Sequence, residues 1–194
     1  TNDNAALDAG EATATTDASG RYNFSGLAAG GYRVRQLVAD GWLLTAPFST
    51  FRDVTLGKGQ MQSGNDFGDF QTAELSGVAF HDRDADGTRE DSEAVLSGWT
   101  VFLDANANGV LDVGEANLVT GADGAYRFTG IGPGTVQVAQ VLPISWQRTT
   151  PGVPYALKSG QQIIADLGQV QLGSIAGMKF NDLNGNGLHD GGEG

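Results

Sequence analysis

The chain has 194 residues, of which 11 are Lys or Arg and 23 are Asp or Glu, so its formal net charge is −12. This acidity argues against nucleic acid and anionic membrane as partners, because both bind to basic protein surfaces. The absence of cysteine excludes disulfides, thiolate metal sites and cysteine nucleophiles. No apolar run approaches the roughly 20 residues that span a bilayer, so we expect no membrane insertion within this segment.

The sequence repeats itself with a period of about 100 residues. The matching segments, at an offset of 104 and then of 100 residues, are 20–26 with 124–130, Trp42 with Trp146, 66–68 with 166–168, and 77–82 with 177–182. We therefore predict the C-terminal part of one repeat in residues 1–73, a complete repeat in 74–172 and the N-terminal part of the next in 173–194. Because the sequence begins inside one loop motif and stops one residue after the end of another, we expect a segment of a longer tandem array.

Hydrophobic residues within the repeat alternate with a period of two, which is typical of β-strands. In one such segment Trp99, Val101 and Leu103 alternate with Thr100 and Phe102. Short segments of this kind are separated by clusters of Gly, Pro, Asp and Asn, and none carries a helical stripe. The predicted fold is all-β: tandem Ig-like or prealbumin-like Greek-key β-sandwiches, with about seven strands per 100 residues.

Twelve-residue motifs between these strands carry oxygen-bearing side chains at positions 1, 3, 5, 9 and 12 and glycine at position 6. An EF-hand loop wraps Ca²⁺ with this spacing, using the backbone carbonyl at position 7 and a bidentate Glu at position 12. The predicted ligands are Asp82, Asp84, Asp86, Thr88, Glu90 and Glu93 in the first full loop; Asp104, Asn106, Asn108, Val110, Asp112 and Glu115 in the second; and Asp182, Asn184, Asn186, Leu188, Asp190 and Glu193 in the third. The alternative is that these are solvated turns that bind no metal.

A fourth, partial loop is represented by Asn2, Asn4, Asp8 and Glu11. Ala5 stands at its position 6, where the sharp turn favours glycine, so we expect strain in this turn and a weaker case for metal there. Among the full loops, we expect the first to bind Ca²⁺ more tightly than the second. The first has five acidic ligands and the second has three, because asparagines fill its positions 3 and 5.

The loops differ from true EF-hands in what flanks them. Ten residues separate Glu93 from Asp104, and this span has to accommodate everything between the first loop and the second. An EF-hand pair requires an exiting helix, a linker and an entering helix in that space, whereas these residues include Gly98 and alternate as one strand. We therefore predict EF-hand-like calcium loops set between β-strands.

The loops, the Tyr-x-Phe-x-Gly run at 126–130 and the Asp-Phe-Gly-Asp-Phe run at 66–70 resemble the calcium-binding B repeats of serine-aspartate-repeat bacterial surface proteins. These repeats are part of the collagen-adhesin B-type, prealbumin-like group. The resemblance implies an extracellular, cell-surface spacer that links an adhesive region to the cell and is stiffened by Ca²⁺. It also implies that the partners are neighbouring repeats of the same chain or further copies in a filament.

The leading functional hypothesis is therefore a structural repeat of a stalk, spacer or filament, rigidified by Ca²⁺. The alternative is an adhesin, a carbohydrate- or matrix-binding module of unknown host ligand that uses exposed aromatic residues. Core packing is the favoured role of Trp42, Trp99 and Trp146, over a sugar-stacking platform. No enzyme is expected, because no nucleophile is patterned with a base. Since 1–73 lacks its first strands and 173–194 starts a sandwich, neighbouring copies would complete each other by chain continuation or by strand donation.

Related B-type pilin domains form a Lys–Asn isopeptide bond whose lysine lies in the first strand. The first strand of the complete repeat reads Gly77-Val78-Ala79-Phe80, and Gln140 stands where those domains carry the assisting acid. We predict no isopeptide bond in this repeat, so the intact mass of the chain should equal the mass calculated from its sequence. A mass lower by one ammonia, measured by mass spectrometry on the denatured chain, would contradict this.

Overall fold

The computed structural model describes residues 4–194, and every helix or strand that it contains there is a β-strand. The strands are β1 (Gly30–Arg35), β2 (Trp42–Ala46), β3 (Phe51–Leu56), β4 (Gly68–Gln71), β5 (Ala73–His81), β6 (Thr100–Asp104), β7 (Asn117–Val119), β8 (Ala125–Ile131), β9 (Thr135–Gln140), β10 (Trp146–Arg148), β11 (Tyr155–Ala156), β12 (Gln162–Ile164) and β13 (Leu167–Gln171). Within this range no helix is present that is long and apolar enough to cross a bilayer. The all-β prediction is confirmed.

The strands form two small sheets and two larger ones. The small sheets pair β1 with β3 and β2 with β4, both antiparallel. One larger sheet has the order β10-β13-β5-β12, with β8 also paired to β5, and the other has the order β11-β9-β6-β7. Strands that are neighbours in these sheets are seldom consecutive in the chain, as in Greek-key β-sandwiches, and the predicted fold class is confirmed. The pairing of β13 with β5 is parallel.

Contacts divide the chain into two compact units. One contains the chain up to Leu75 together with Arg127–Val136 and Tyr155–Ile163; the other contains Ser76–Tyr126, Gln137–Pro154 and Ile164–Gly194. These units are not continuous in sequence. The repeat boundaries at 73 and 172 stay predictions.

The core of the second unit is built from both larger sheets. Phe80 and Leu167 of the five-stranded sheet are fully buried, as are Val101 and Phe102 of the four-stranded sheet. The predicted alternation is therefore not seen as alternating exposure in β6, where two successive residues are both buried. Successive residues of a strand point to opposite faces, so the burial of both shows that each face of β6 is covered at this point; β6 is also an inner strand, paired with β7 and β9. In β8, Tyr126 and Phe128 are buried and Arg127 is exposed, as predicted.

Gly77 occupies the tightest approach inside β5. A Cβ atom at this position would lie 2.1 Å from the carbonyl oxygen of Ala165 and 3.0 Å from Cε1 of Tyr126. Ala165 is held there by two hydrogen bonds: its N–H donates to the carbonyl of Ser76, and its carbonyl accepts from the Tyr126 hydroxyl. Strand β5 therefore reaches its place in the sheet only because this residue has no side chain.

The three tryptophans are not core residues, which corrects the role favoured from the sequence. Trp42 is 40% exposed, and Trp99 and Trp146 are half-buried. The rings of Trp99 and Trp146 meet edge to face with centroids 4.9 Å apart, and the His81 ring lies 4.9 Å from Trp146 on the same cluster. The rings of Trp99 and Trp146 pack edge to face against each other at the surface, and their hydrophobicity alone does not bring them into the core.

Candidate metal centre

The first loop leaves and rejoins the sheet at the end of β5. Asp82 follows directly on His81, the last residue of that strand, and Glu93 precedes a short antiparallel bridge between Val95 and Phe80. The bridge is flanked by hydrogen bonds from the His81 N–H to the Ala94 carbonyl and from the Leu96 N–H to the Ala79 carbonyl, each 2.8 Å long. The loop is therefore closed at its base by the backbone, as predicted for a loop between strands.

The second loop is the connection of a hairpin. It begins at Asp104, the last residue of β6, and ends at Glu115 just before β7, which pairs with β6 from Phe102 opposite Asn117. The third loop, 182–193, is not flanked by strands. In the partial loop, Asn4, Asp8 and Glu11 are described, while Asn2 lies outside the described residues.

All three full loops share one hydrogen-bond framework built on the carboxylates at positions 1 and 12. The position-1 aspartate accepts from the N–H of the position-6 glycine, at 2.8 Å for Gly87 to Asp82, 2.8 Å for Gly109 to Asp104 and 2.7 Å for Gly187 to Asp182. The position-12 glutamate accepts from the N–H groups at positions 2 and 9, which are Arg83 and Glu90 for Glu93, Ala105 and Asp112 for Glu115, and Leu183 and Asp190 for Glu193. The sequence repeat is therefore also a structural repeat.

Position 5 completes this framework. Its side-chain oxygen accepts from the N–H at position 7, from Thr88 to Asp86, from Val110 to Asn108 and from Leu188 to Asn186, at 2.6–2.7 Å. The partial loop has the same bonds where it is described: Ala6 donates to Asn4 at 2.9 Å, and Asp8 donates to Glu11 at 3.2 Å. The alignment that places Asn4 at position 5 and Asp8 at position 9 thus holds in the structure.

Two loop positions have left-handed backbone conformations. Position 6 was expected to be left-handed, and Gly87 has a φ of 80° there. Ala5, at the same position of the partial loop, has a φ of 63°. Position 4 is also left-handed, with φ of 62° at Ala85 and 58° at Ala107, which the motif does not reveal. Gly185 at position 4 of the third loop is the one sequence signal for it. An alanine in this region carries strain of order 1 kcal/mol, so these loops are held by their other interactions.

The first loop brings its acidic side chains closest together. Carboxylate oxygens of Asp82, Asp84 and Asp86 all lie within 4.8 Å of one another, and so do those of Asp84, Glu90 and Glu93. Asp82 is fully buried, and its Oδ1 atom has no hydrogen-bond partner among the described residues. A buried carboxylate oxygen without a donor is costly unless a cation satisfies it.

This crowding changes the proton affinity of the loop. Partial desolvation raises the pKa of Glu90 to about 7, together with its hydrogen bond to Glu93 and the negative charges of Asp86, Glu93 and Asp84. Burial also raises the pKa of Asp82, but hydrogen-bond donors around it, the Gly87 N–H among them, hold that pKa below its ordinary value. The first loop therefore concentrates negative charge at one point, and neither of its arginines, Arg83 and Arg89, forms an ion pair with these carboxylates among the described residues.

In the second and third loops, asparagine side chains donate hydrogen bonds to the position-9 carboxylate. Both asparagine amides of the second loop, Asn106 and Asn108, donate to Oδ2 of Asp112 at 2.8 Å. The third loop repeats the arrangement, with Asn184 at 2.9 Å and Asn186 at 2.7 Å from Oδ2 of Asp190, and these two bonds lower the pKa of Asp190. Each asparagine pair thus satisfies the position-9 carboxylate from within the loop.

The donor sets fit a hard divalent cation. Ca²⁺ takes six to eight oxygen ligands in flexible geometry, and the first loop offers five carboxylates within one turn of chain, one of them buried with an orphaned oxygen. No cysteine is present, and no histidine joins either acidic cluster in the described residues, so the sites have no soft ligands. The individual ligand assignments stay predictions.

Comparison with known proteins finds matches in the family that the sequence motifs resemble. Residues 73–164 match the family model described as "SdrD B-like domain". The chain is 32% identical over 152 residues to serine-aspartate repeat-containing protein D of Staphylococcus aureus strain Newman, an alignment that covers 72% of this chain and 11% of that protein. It is 30% identical over 166 residues to serine-aspartate repeat-containing protein F of Staphylococcus epidermidis, covering 79% of this chain and 9% of that protein. The chain thus spans about a tenth of the length of these relatives.

Among solved structures, the chain is similar to the minor pilin GBS52 of Streptococcus agalactiae, with a TM-score of 0.40 and 16% identity over 86% of this chain and 70% of that one. A mutant of the shaft pilin SpaA of Lactobacillus rhamnosus GG has a TM-score of 0.41 at 13% identity, over 84% of this chain and 69% of that one. The family assignment comes from the sequence matches: residues 73–164 of this chain belong to the SdrD B-like domain family.

Proposed function

We propose that this chain is an extracellular structural repeat, part of a stalk, spacer or filament, whose loops bind Ca²⁺ and are stiffened by it. The observation that carries the proposal is the first loop, where the carboxylates of Asp82, Asp84, Asp86, Glu90 and Glu93 converge and one buried oxygen has no donor. The two arginines of the loop, Arg83 and Arg89, form no ion pair with these carboxylates among the described residues. A bound cation would reverse the repulsion and join the first residue of the loop to its last.

The location of the loops favours a mechanical effect. The first loop starts at the end of β5 and returns to that strand through the Phe80–Val95 bridge. The second connects β6 to β7, which are paired. A cation in either loop would therefore restrict how two segments of the same sheet move against each other.

The extracellular location follows from the expected affinity and from the family. Extracellular modules with loops of this type bind Ca²⁺ at about 10⁻⁴–10⁻³ M, a range that fits calcium outside cells and would leave the loops empty in cytosol. The named relatives are serine-aspartate repeat-containing proteins of two staphylococci, and the resemblance implies a surface location for such repeats. The net charge of −12 suits a soluble surface segment that avoids nucleic acid.

A second candidate is an adhesive, carbohydrate-binding role. The half-buried cluster of His81, Trp99 and Trp146 is the observation in its favour, because exposed aromatic rings stack on sugar faces. A glycan array probed with the full chain separates the two functions. Binding that Trp146→Ala removes would favour adhesion, and the spacer function predicts no specific signal.

Calcium should stabilise the folded chain against heat. A ligand that binds only the folded state contributes about 2.7 kcal/mol per site at a hundredfold excess over Kd, which raises the Tm of a domain of this size by about 5 °C or more. Differential scanning calorimetry in millimolar CaCl₂ and in chelator checks this. Mg²⁺ at the same concentration is the control and should shift the Tm less, because it requires octahedral geometry and gives up its waters reluctantly. An unchanged Tm in Ca²⁺ contradicts the proposal.

Asp84→Asn should weaken Ca²⁺ binding at the first loop by at least about tenfold, or about 1.4 kcal/mol, because it removes one charge from the point where both acidic clusters meet. The matched control is Asp91→Asn, at the exposed position 10 of the same loop. It makes the same change in net charge away from the clusters and should leave the affinity within about twofold. Isothermal titration calorimetry measures both variants, and equal effects would show that only the overall charge matters.

A further inference from the structure

Thr149 lies beside the first loop, although it is far from that loop in the sequence. It directly follows β10, and Asp82 directly follows β5; these are the two strands that flank β13. The N–H of Thr149 donates to the carbonyl of Gly168 in β13, and the N–H of Asp82 donates to the carbonyl of Gln169, each at 2.9 Å. The two residues therefore continue the sheet at neighbouring positions, with only β13 between them.

Gly168 lets the side chains of these two residues approach each other across β13. A Cβ atom on Gly168 would lie 2.6 Å from Oγ1 of Thr149 and 3.2 Å from Oδ2 of Asp82. Both oxygens thus point to the place over the strand where any other residue would carry its side chain. Thr149 also approaches the turn of the loop, because a Cβ on Gly87, at position 6, would lie 3.7 Å from its carbonyl oxygen.

Asp82 differs from the other position-1 aspartates in the hydrogen bonding of its Oδ1 atom. In the second and third loops Oδ1 accepts from the N–H at position 5; these bonds are Asn108 to Asp104 at 3.2 Å and Asn186 to Asp182 at 3.1 Å. In the first loop the N–H at position 5, that of Asp86, donates to Oδ1 of Asp84 at 3.3 Å instead. The Gly87 N–H holds Oδ2 of Asp82, while Oδ1 is buried without a partner among the described residues.

The Thr149 hydroxyl has a donor that the described residues leave unused. Its Oγ1 atom is buried and forms no ordinary hydrogen bond within residues 4–194. It nevertheless faces the carboxylate closely enough to affect it: burial raises the pKa of Asp82, and the Thr149 hydroxyl is the strongest of the groups that hold this pKa below its ordinary value. A buried hydroxyl and a buried carboxylate that can accept from it therefore lie next to each other.

We propose that Thr149 is a positioning residue of the first calcium loop, whose hydroxyl donates to Oδ2 of Asp82 and directs Oδ1 toward the bound cation. The inference rests on the proposed function and adds to it a residue outside the twelve-residue motif. A carboxylate oxygen has two lone pairs, so Oδ2 can accept from Thr149 as well as from the Gly87 N–H. Residues that orient a metal ligand in this way raise the affinity of the site, because the ligand is already in place when the cation binds.

This contact would also extend the effect of the cation across the sheet. The first loop is attached to β5, whereas Thr149 belongs to the segment after β10, and β13 separates the two strands. A cation that holds Asp82 would therefore restrain a strand that is not connected to the loop in sequence.

Thr149→Val should weaken Ca²⁺ binding at the first loop by about tenfold or more, the loss that is typical when a residue orienting a metal ligand is removed. Valine has nearly the same shape and lacks only the hydroxyl. Thr149→Ser, which keeps the hydroxyl, should bind Ca²⁺ nearly as tightly as the wild type. Isothermal titration calorimetry on the full chain measures the affinities, and the site that Asp84→Asn weakens identifies the first loop in the titration.

The Tm in chelator separates this role from a structural one. Thr149→Val should leave that Tm unchanged, because the hydroxyl forms no ordinary hydrogen bond that valine would remove. The matched control is Thr150→Val at the next residue, whose Oγ1 accepts from the Gly168 N–H at 3.1 Å. It should lower the Tm in chelator but leave the affinity of the first loop within about twofold, because its hydroxyl is bonded to the strand rather than to the loop.

A double-mutant cycle tests whether Thr149 acts through Asp82. In an Asp82→Asn background, Thr149→Val should change the remaining Ca²⁺ affinity by less than about twofold, since the carboxylate that it orients is gone. An undiminished loss in that background overturns the inference. So does an equal loss in Thr149→Ser and Thr149→Val, because the hydroxyl would then not be the cause.

The titrations also distinguish this inference from the proposed function. A wild type that binds Ca²⁺ at the first loop with the same affinity as Thr149→Val overturns the role of Thr149 and leaves the proposed function intact. A wild type that binds no Ca²⁺ overturns the proposed function and, with it, the role of Thr149.

Discussion

The loops depend on buried carboxylates, at both ends of the first loop and at one end of the second and the third. Asp82 and Asp104 at position 1 and Glu93 and Glu193 at position 12 are among the few buried charged residues in the described chain. Each accepts hydrogen bonds from N–H groups of its own loop, so the turn is wrapped around its own acids. Carboxylates are uncommon in protein interiors unless they are paired or coordinate a metal, and none of these four forms an ion pair with a Lys or Arg in the part of the chain that the structure describes.

The full loops share one hydrogen-bond framework but differ in what surrounds their carboxylates. In the second loop Asn106 and Asn108 donate to Asp112, and the chain itself provides a neutral donor for its position-9 carboxylate. The first loop has aspartates at these positions, so its carboxylates face one another and the pKa of Glu90 rises to about 7. The first loop thus holds its carboxylates close together, while the asparagine loops satisfy theirs through internal hydrogen bonds.

The repeat also shows how much of a strand depends on its partner. Leu75 and Phe80 are buried in β5, which has neighbours in a sheet, whereas Ile175, at the position corresponding to Leu75, is exposed in a segment that forms no strand. The hydrophobic pattern is similar in the two copies, although Lys179 stands where β5 has Ala79. Backbone hydrogen bonds and burial come only with the second strand, since a single strand leaves every N–H and C=O group to water.

Much of this protein could be derived from its sequence by itself. The period of about 100 residues, the β-strands, the loops between them and the family of residues 73–164 all follow from local patterns, because turn glycines, alternation and ligand spacing are properties of adjacent residues. The left-handed alanines at position 4, such as Ala85, could not be predicted, since an alanine has no local preference for that conformation. Neither could the amide bonds within the second loop, because an asparagine offers both a donor and an acceptor.

Only the tertiary structure decided which residues are buried. Trp99 and Trp146 are of a residue type common in cores, but they lie half-buried against each other at the surface. Successive residues of β6, in contrast, are both buried. Burial depends on what covers each face of a sheet, and that cover comes from strands far away in the chain. The sequence by itself therefore determined the repeats, the strands and the loop chemistry. The fold alone decided which strands are paired, because pairing joins residues that no local pattern relates.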